Sequence, residues 1–191
     1  MEKTPQVIYD FNPYNIPEEY HQAIGCVTLC ASQTEGIMGD FISSLLNIDE
    51  MENIALTTHM NNPLMDQIGR ALIELNSGTT NIIDKVDDLL DAIKEAQAER
   101  NIIIHNRLCL HPDTGEVYSF RQSARGSTQI KMQVVAIEEI EEVAQRLYDS
   151  GINLLKFMTD MDIRPRARTR PVHIPLNRKK RARQKRKNIS G

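Results

Sequence analysis

TNIIDKVDDLLDAIKEAQAERNIIIHNRL, residues 80–108, is the stretch on which the fold turns. Val86, Leu89, Ile93 and Ala96 step by three and four, the spacing that lines up one apolar stripe on an α-helix. Asp84, Asp87, Asp88 and Asp91 crowd its beginning, where the positive end of a helix dipole favours anions. The stretch therefore predicts a long helix from about Thr80 to Leu108.

Working upstream, Asn76-Ser77-Gly78 is a loop signal, and Asn61-Asn62-Pro63 reads as a stop followed by an N-cap. A helix is expected between them, from Pro63 to about Leu75. The segment from Asp49 to His59 is short and mixed. Before it, Ile24, Val27, Leu29, Ala31, Ile37, Phe41, Leu45 and Leu46 recur at mostly helical spacings, predicting a helix from Tyr20 to about Leu46. It has a natural start at Pro17-Glu18-Glu19. Gly25, Gly36 and Gly39 weaken that helix but permit another backbone to approach closely. The first twenty residues hold three prolines, so residues 1–19 read as an irregular arm packed on the body.

Downstream, the Pro-Asp-Thr-Gly turn at 112–115 lies between two alternating apolar runs and predicts a small β-hairpin. A last helix is expected from about Ala136 to Met161, with Ile140, Val143, Leu147, Ile152, Leu155 and Met158 facing inward. The fold class is thus all-α: an antiparallel bundle of about four helices over residues 20–162, with a hairpin excursion before the last. Residues 163–191 follow as a basic tail whose composition predicts disorder.

Composition narrows the classes. No apolar stretch approaches the roughly 18–20 residues needed to cross a bilayer, so no integral membrane association is expected. The N-terminal MEKTPQVIYDFNPYN has neither a signal-peptide layout nor a transit-peptide composition. Three cysteines, Cys26, Cys30 and Cys109, form no disulfide framework and point to a reducing, cytoplasmic setting. The net charge of −3 hides a division. Residues 163–191 hold twelve of the 23 Lys and Arg and none of the 26 Asp and Glu, which leaves residues 1–162 at a net −15.

The chemistry-bearing residues lie at the end of the opening stretch. One step beyond Ala96 the apolar seam lands on Arg100, a permanent cation where a core or subunit-interface residue belongs. Asn101 and His105 are four apart and share a helix face. Arg100 and His105 are roughly 140° apart around the axis. One long side chain can bridge that angle, and a second copy of the helix crossing at a two-fold axis bridges it more easily. Such a set suits phosphodiester chemistry on RNA without a metal or cofactor. His105 takes the 2′-hydroxyl proton or protonates the leaving oxygen. Arg100 meets the charge growing on the phosphate, and Asn101 orients the imidazole or bonds the phosphate. A 2′,3′-cyclic phosphate is the expected product end, and DNA is spared.

Arg100-Asn101-x-x-x-His105 resembles the Arg-polar-x-x-x-His signature of the HEPN superfamily of small helical-bundle proteins. That signature has a polar residue directly after the Arg and four to six residues before the His; here the polar residue is Asn101 and four residues intervene. The resemblance covers about residues 20–160. It implies an all-α bundle with the motif late in a long helix, and a homodimer that joins two motifs into one metal-independent endoribonuclease site. Arg100, Asn101 and His105 would be its catalytic residues. It also leaves open a non-catalytic RNA- or protein-binding module, or one half of a toxin–antitoxin-like pair masked by a neutralising partner.

The plainer alternative is that Arg100 pairs with an acid such as Glu35 or Glu99 and that His105 is a capped surface histidine. In the tail, Arg164, Arg166, Arg168, Arg170, Arg178, Lys179, Lys180, Arg181, Arg183, Lys185, Arg186 and Lys187 form a polyelectrolyte suited to RNA phosphates. The same residues also read as a solvated segment folding back on the acidic body, or as a nuclear-import signal. Cys26 and Cys30 lack a second pair for zinc and are expected to be buried. His111 is expected to be exposed. Arg121 and Arg125 are candidate backbone contacts or ordinary surface charges.

Overall fold

The computed structural model describes residues 8–77, 79–123, 129–164 and 166. Among them are five α-helices: α1 (Glu18–Leu45), α2 (Glu50–Thr57), α3 (Asn62–Asn76), α4 (Thr80–His105) and α5 (Ile137–Asp160). Three strands, β1 (Arg107–Leu110), β2 (Val117–Ser123) and β3 (Gln129–Val134), form one antiparallel sheet in the order β1-β2-β3. The molecule is mostly helical with this small sheet inserted between α4 and α5.

The expected α1, α3, α4 and α5 are present to within a few residues. Two elements were not expected. The 49–59 stretch forms α2, capped by Asp49: its Oδ1 accepts from the Met51 and Glu52 amides at 2.9 and 3.0 Å, while Glu52 Oε2 accepts from the Asp49 amide. The hairpin gains a third strand, β3, which pairs with β2 from Tyr118↔Val134 to Ser123↔Gln129. The turn between β1 and β2 places Gly115 at φ +72°, a conformation that suits a residue without Cβ. α4 stops at His105, short of Leu108. The chain turns extended at Asn106, whose side-chain Nδ2 donates to Ser119 Oγ of β2 at 2.9 Å.

The acids of α4 also differ from expectation. None lies in its first turn. Asp87 and Asp91 instead reach Arg70 of α3 at 2.7 Å each, with Asp66 3.0 Å from the same guanidinium. Burial works against the Arg70 charge, but the three carboxylates outweigh it and hold the guanidinium above its ordinary pKa.

α1 packs most extensively on α5, α4 lies against α5, and α3 bridges α1 and α4. One core cluster joins Phe41 and Ile42 of α1 with Leu90 and Ile93 of α4 and Leu154 and Phe157 of α5. A second joins Val27 and Ala31, Ala96, and Ile140 and Leu147. The buried stripes differ in detail from those expected. Leu89 is only half-buried while Leu90 is buried, Leu29 is exposed, and on α5 Leu155 is exposed and Ile152 half-buried. The α5 register follows 147, 150, 151, 154, 157 and 158 because Gly151 lets α1 come close: a Cβ there would stand 2.7 Å from Thr34 Oγ1. Among the three α1 glycines, Gly39 packs against Asn53 of α2, while Gly25 and Gly36 face open space.

From residue 8 onward the N-terminal segment packs on the sheet. Asp10 and Leu110 exchange backbone hydrogen bonds at 3.0 and 2.8 Å. Tyr9 meets His111 and Tyr118 edge-on, and Phe11 meets Phe120. No helix among the described residues is long and apolar enough to cross a membrane.

Candidate functional site

The last three turns of α4 carry Gln97, Arg100, Asn101 and His105. Gln97, Asn101 and His105 follow at intervals of four, so they stand one above another along one side of the helix. Arg100 continues the buried seam of Ile93 and Ala96 and is itself half-buried. Its Nε is closed off from solvent and has no hydrogen-bond partner among the described residues. The guanidinium leans toward the Asn101 side, and Nη1 donates to Asn101 Oδ1 at 2.9 Å.

Neither acid expected to neutralise Arg100 does so. Glu99 accepts from Arg146 Nε of α5 at 2.7 Å, and Glu35 accepts from Asn62 Nδ2 of α3 at 3.0 Å. Among the described residues no carboxylate lies within ion-pair distance of Arg100. His105 is the exposed final residue of the helix, and no hydrogen bond or ring contact engages its imidazole among the described residues. The structure therefore brings Arg100 and Asn101 together and leaves His105 one turn further on, unattached.

Among the clefts beside α4, two extend past residue 100. The first, of about 260 Å³, lies between its C-terminal end, the sheet and α5; Ile102, Asn106, Ser119, Glu139 and Arg146 line it, and none of the three motif residues does. The second, of about 340 Å³, lies between α3 and α4. Its apolar lining includes Met38, Leu90 and Ile93, all buried, and its polar lining is Asn62, Asp66, Gln67, Lys94, Gln97 and Asn101.

No family model matches this chain, and neither a curated protein nor a solved structure does. The site must be read from its own geometry.

Of the basic segment, Arg164 pairs with Asp162 at 2.8 Å and Arg166 with Glu52 at 2.7 Å, so both cations rest on acids of the body. Arg168, Arg170, Arg178, Lys179, Lys180, Arg181, Arg183, Lys185, Arg186 and Lys187 lie outside the described residues, as does Arg125. Arg121 is exposed on β2. Cys26 is exposed rather than buried, and Cys30 is half-buried. Burial, with Cys26 beside it, pushes the Cys30 thiol up, and burial does the same to Cys109, which disfavours the reactive thiolate. His111 is half-buried rather than exposed. Its Nδ1 accepts from the Asp113 and Thr114 amides at 3.2 Å each, so the ring organises the hairpin turn. No group of three or more His, Cys, Asp or Glu is arranged for a metal among the described residues.

The residue that sequence reasoning missed is Gln97. It is 4% exposed, and neither Oε1 nor Nε2 has a partner among the described residues. The signal was present: a long polar side chain one turn before Asn101, beside the apolar seam.

Proposed function

We propose that this chain is a metal-independent endoribonuclease of the HEPN type, acting as a homodimer whose two α4 ends share one cleft. The observation that carries the reading is Arg100: a cation on the buried seam, held by Asn101 and without a carboxylate partner among the described residues. A permanent charge in that position favours an external anion, and a phosphodiester matches the planar fork of its donors.

In this reading His105 of one copy accepts the proton of the 2′-hydroxyl as that oxygen attacks the adjacent phosphorus. The twin His105 donates a proton to the departing 5′-oxygen, leaving a 2′,3′-cyclic phosphate and a 5′-hydroxyl. Arg100 meets the negative charge that builds on the non-bridging oxygens, where fixed donors matter most. Asn101 holds the guanidinium with its oxygen, which leaves its amide hydrogens for phosphate or imidazole. The family's four-helix frame would here be α1, α3, α4 and α5, and the basic segment would recruit RNA. Three free thiols suit a cytoplasmic setting.

The second reading, a non-catalytic RNA- or protein-binding bundle or the masked half of a toxin–antitoxin-like pair, is favoured by the imidazole of His105, which none of the described residues orients. One experiment separates the two. Wild-type and His105→Ala protein are incubated with total RNA in excess chelator, and the same samples are sedimented. The ribonuclease reading expects chelator-resistant cleavage by a dimer, reduced about 10²–10⁴-fold by the substitution with the thermal melt unchanged. Cleavage that survives the substitution, or that the chelator abolishes, removes it.

A further inference from the structure

The sheet has two edges, and the described residues pair with only one of them. At β1, Asp10 exchanges backbone hydrogen bonds with Leu110. At β3, the parity of the ladder decides which backbone groups are left. The Val135 amide donates to the Val117 carbonyl, so Ser119↔Gln133 and Arg121↔Lys131 are the hydrogen-bonded pairs with β2. The amides and carbonyls of Ile130, Met132 and Val134 therefore point away from β2. No backbone group among the described residues pairs with them.

The same three residues carry exposed apolar side chains. Ile130, Met132 and Val134 are 60%, 37% and 47% exposed, and they alternate along β3, so they share one face. Met132 stands across from Phe120, and Phe11 packs edge-on against that ring. An apolar strip thus runs beside the open backbone row. On the other face Arg121 and Lys131 lie directly opposite each other, both exposed. Like charges so placed repel, and neither has a carboxylate within ion-pair distance among the described residues.

An edge of this kind is completed by an added strand, and charge decides which strand. A second copy of β3 would bring another Arg121 and Lys131 to the same face, and the basic segment of this chain would add more cations. A lysine on an edge discourages such pairings but receives a carboxylate. We propose that β3 docks an extended segment of a partner protein in which acidic and apolar residues alternate. Its backbone bonds Ile130, Met132 and Val134, its apolar side chains lie along their strip, and an acid between them faces Lys131. The proposal stands apart from the ribonuclease reading, because Arg100, Asn101 and His105 all lie on α4 and none on the sheet.

The test titrates the full-length protein with three short capped peptides. One alternates valine with glutamate, one alternates valine with lysine, and one holds the valine–glutamate composition with like residues grouped. Each is taken to millimolar concentration while backbone amide signals and their hydrogen exchange are followed residue by residue. With the alternating glutamate peptide, exchange should slow at Ile130, Met132 and Val134 and stay unchanged at Lys131 and Gln133, which already bond β2. The lysine peptide should bind about tenfold more weakly, since an attractive pair becomes a repulsive one. Arg121→Glu combined with Lys131→Glu should reverse that order, and because both positions are exposed the melting temperature should hold. Equal binding of the three peptides, or unchanged exchange at the three outward amides, overturns the proposal. So does slow exchange there in the free protein together with a sedimenting dimer, which assigns the edge to a second copy. Movement of these signals by a uridine oligonucleotide and by none of the peptides overturns it in favour of RNA.

Discussion

Asp40 is an exposed residue of α1 beside α2, and Asn53 Nδ2 donates to its Oδ1 at 3.4 Å, so its carboxyl is only partly shielded. Burial, and then the charge of Glu50, push its carboxyl above the ordinary value of 3.8. The folded protein therefore holds this proton more tightly than the unfolded chain does. The stabilisation linked to it is full below pH 3.8 and is lost as pH rises through the higher folded value. Asp40→Asn, which keeps an acceptor for Asn53 and carries no charge, should raise the neutral-pH melting temperature by about 1–3 °C. The gain should shrink to nothing as pH falls toward 4. Thermal melts of both proteins from pH 4 to 8 test this, and a gain independent of pH contradicts it. Residue-scale reading from sequence worked for Arg100, because a helical register is local arithmetic. It did not find the partners of the acids nearby. Glu99 goes to Arg146, 47 positions on, and Glu35 to Asn62, and only the packing of separate helices decides such pairings.

Between elements, the α1–α5 contact depends on Gly151 meeting Thr34. Thr34 Oγ1 lies 2.9 Å from both the Leu147 and Cys30 carbonyl oxygens, so one hydroxyl ties α5 to α1 at the closest point of the pair. A methyl group at 151 would stand 2.7 Å from that oxygen and 3.3 Å from Thr34 Cβ. A β-branched side chain has little room to yield. Gly151→Ala should cost about 1–3 kcal/mol by overpacking, despite the better helix propensity of Ala. Thr34→Ala in the same chain should recover part of that loss. Denaturant melts of the two single variants and the double variant measure the coupling, and simple additivity would show that the contact is not what limits the site. Long amphipathic helices were legible because their periodicity is strong. α2 was missed although Asp49-x-x-Glu52 is a capping-box pattern, since eight residues give too little periodicity to notice. β3 was missed although Gln129–Val134 alternates strictly between polar and apolar residues, because the run is only six residues long, and its apolar residues Ile130, Met132 and Val134 are exposed, so only β2 beside it makes a strand of it.

At the scale of the whole molecule, the acidic body competes with any RNA for the basic segment. The first two cations of that segment are already engaged: Arg166 donates its backbone amide to the Ile48 carbonyl at 3.2 Å and its guanidinium to Glu52, and Arg164 rests on Asp162. The other ten of the twelve cations after residue 162 set the upper limit on further phosphate contacts. Each phosphate neutralised on a single strand contributes roughly −0.7 to the slope of log K against log salt, so that slope should be no steeper than about −7. Neutralising the eight Lys and Arg between 178 and 187 to Gln in the full-length chain should flatten it to about −1 to −2. Fluorescence anisotropy with a labelled single-stranded RNA from 50 to 300 mM salt measures both slopes. Adenine-rich and uracil-rich strands should give the same salt slope, because counterion release does not depend on the base. Any preference between them should appear instead as a salt-independent offset. A slope unchanged by the neutralisation would mean that the body, acidic as it is, carries the RNA contacts.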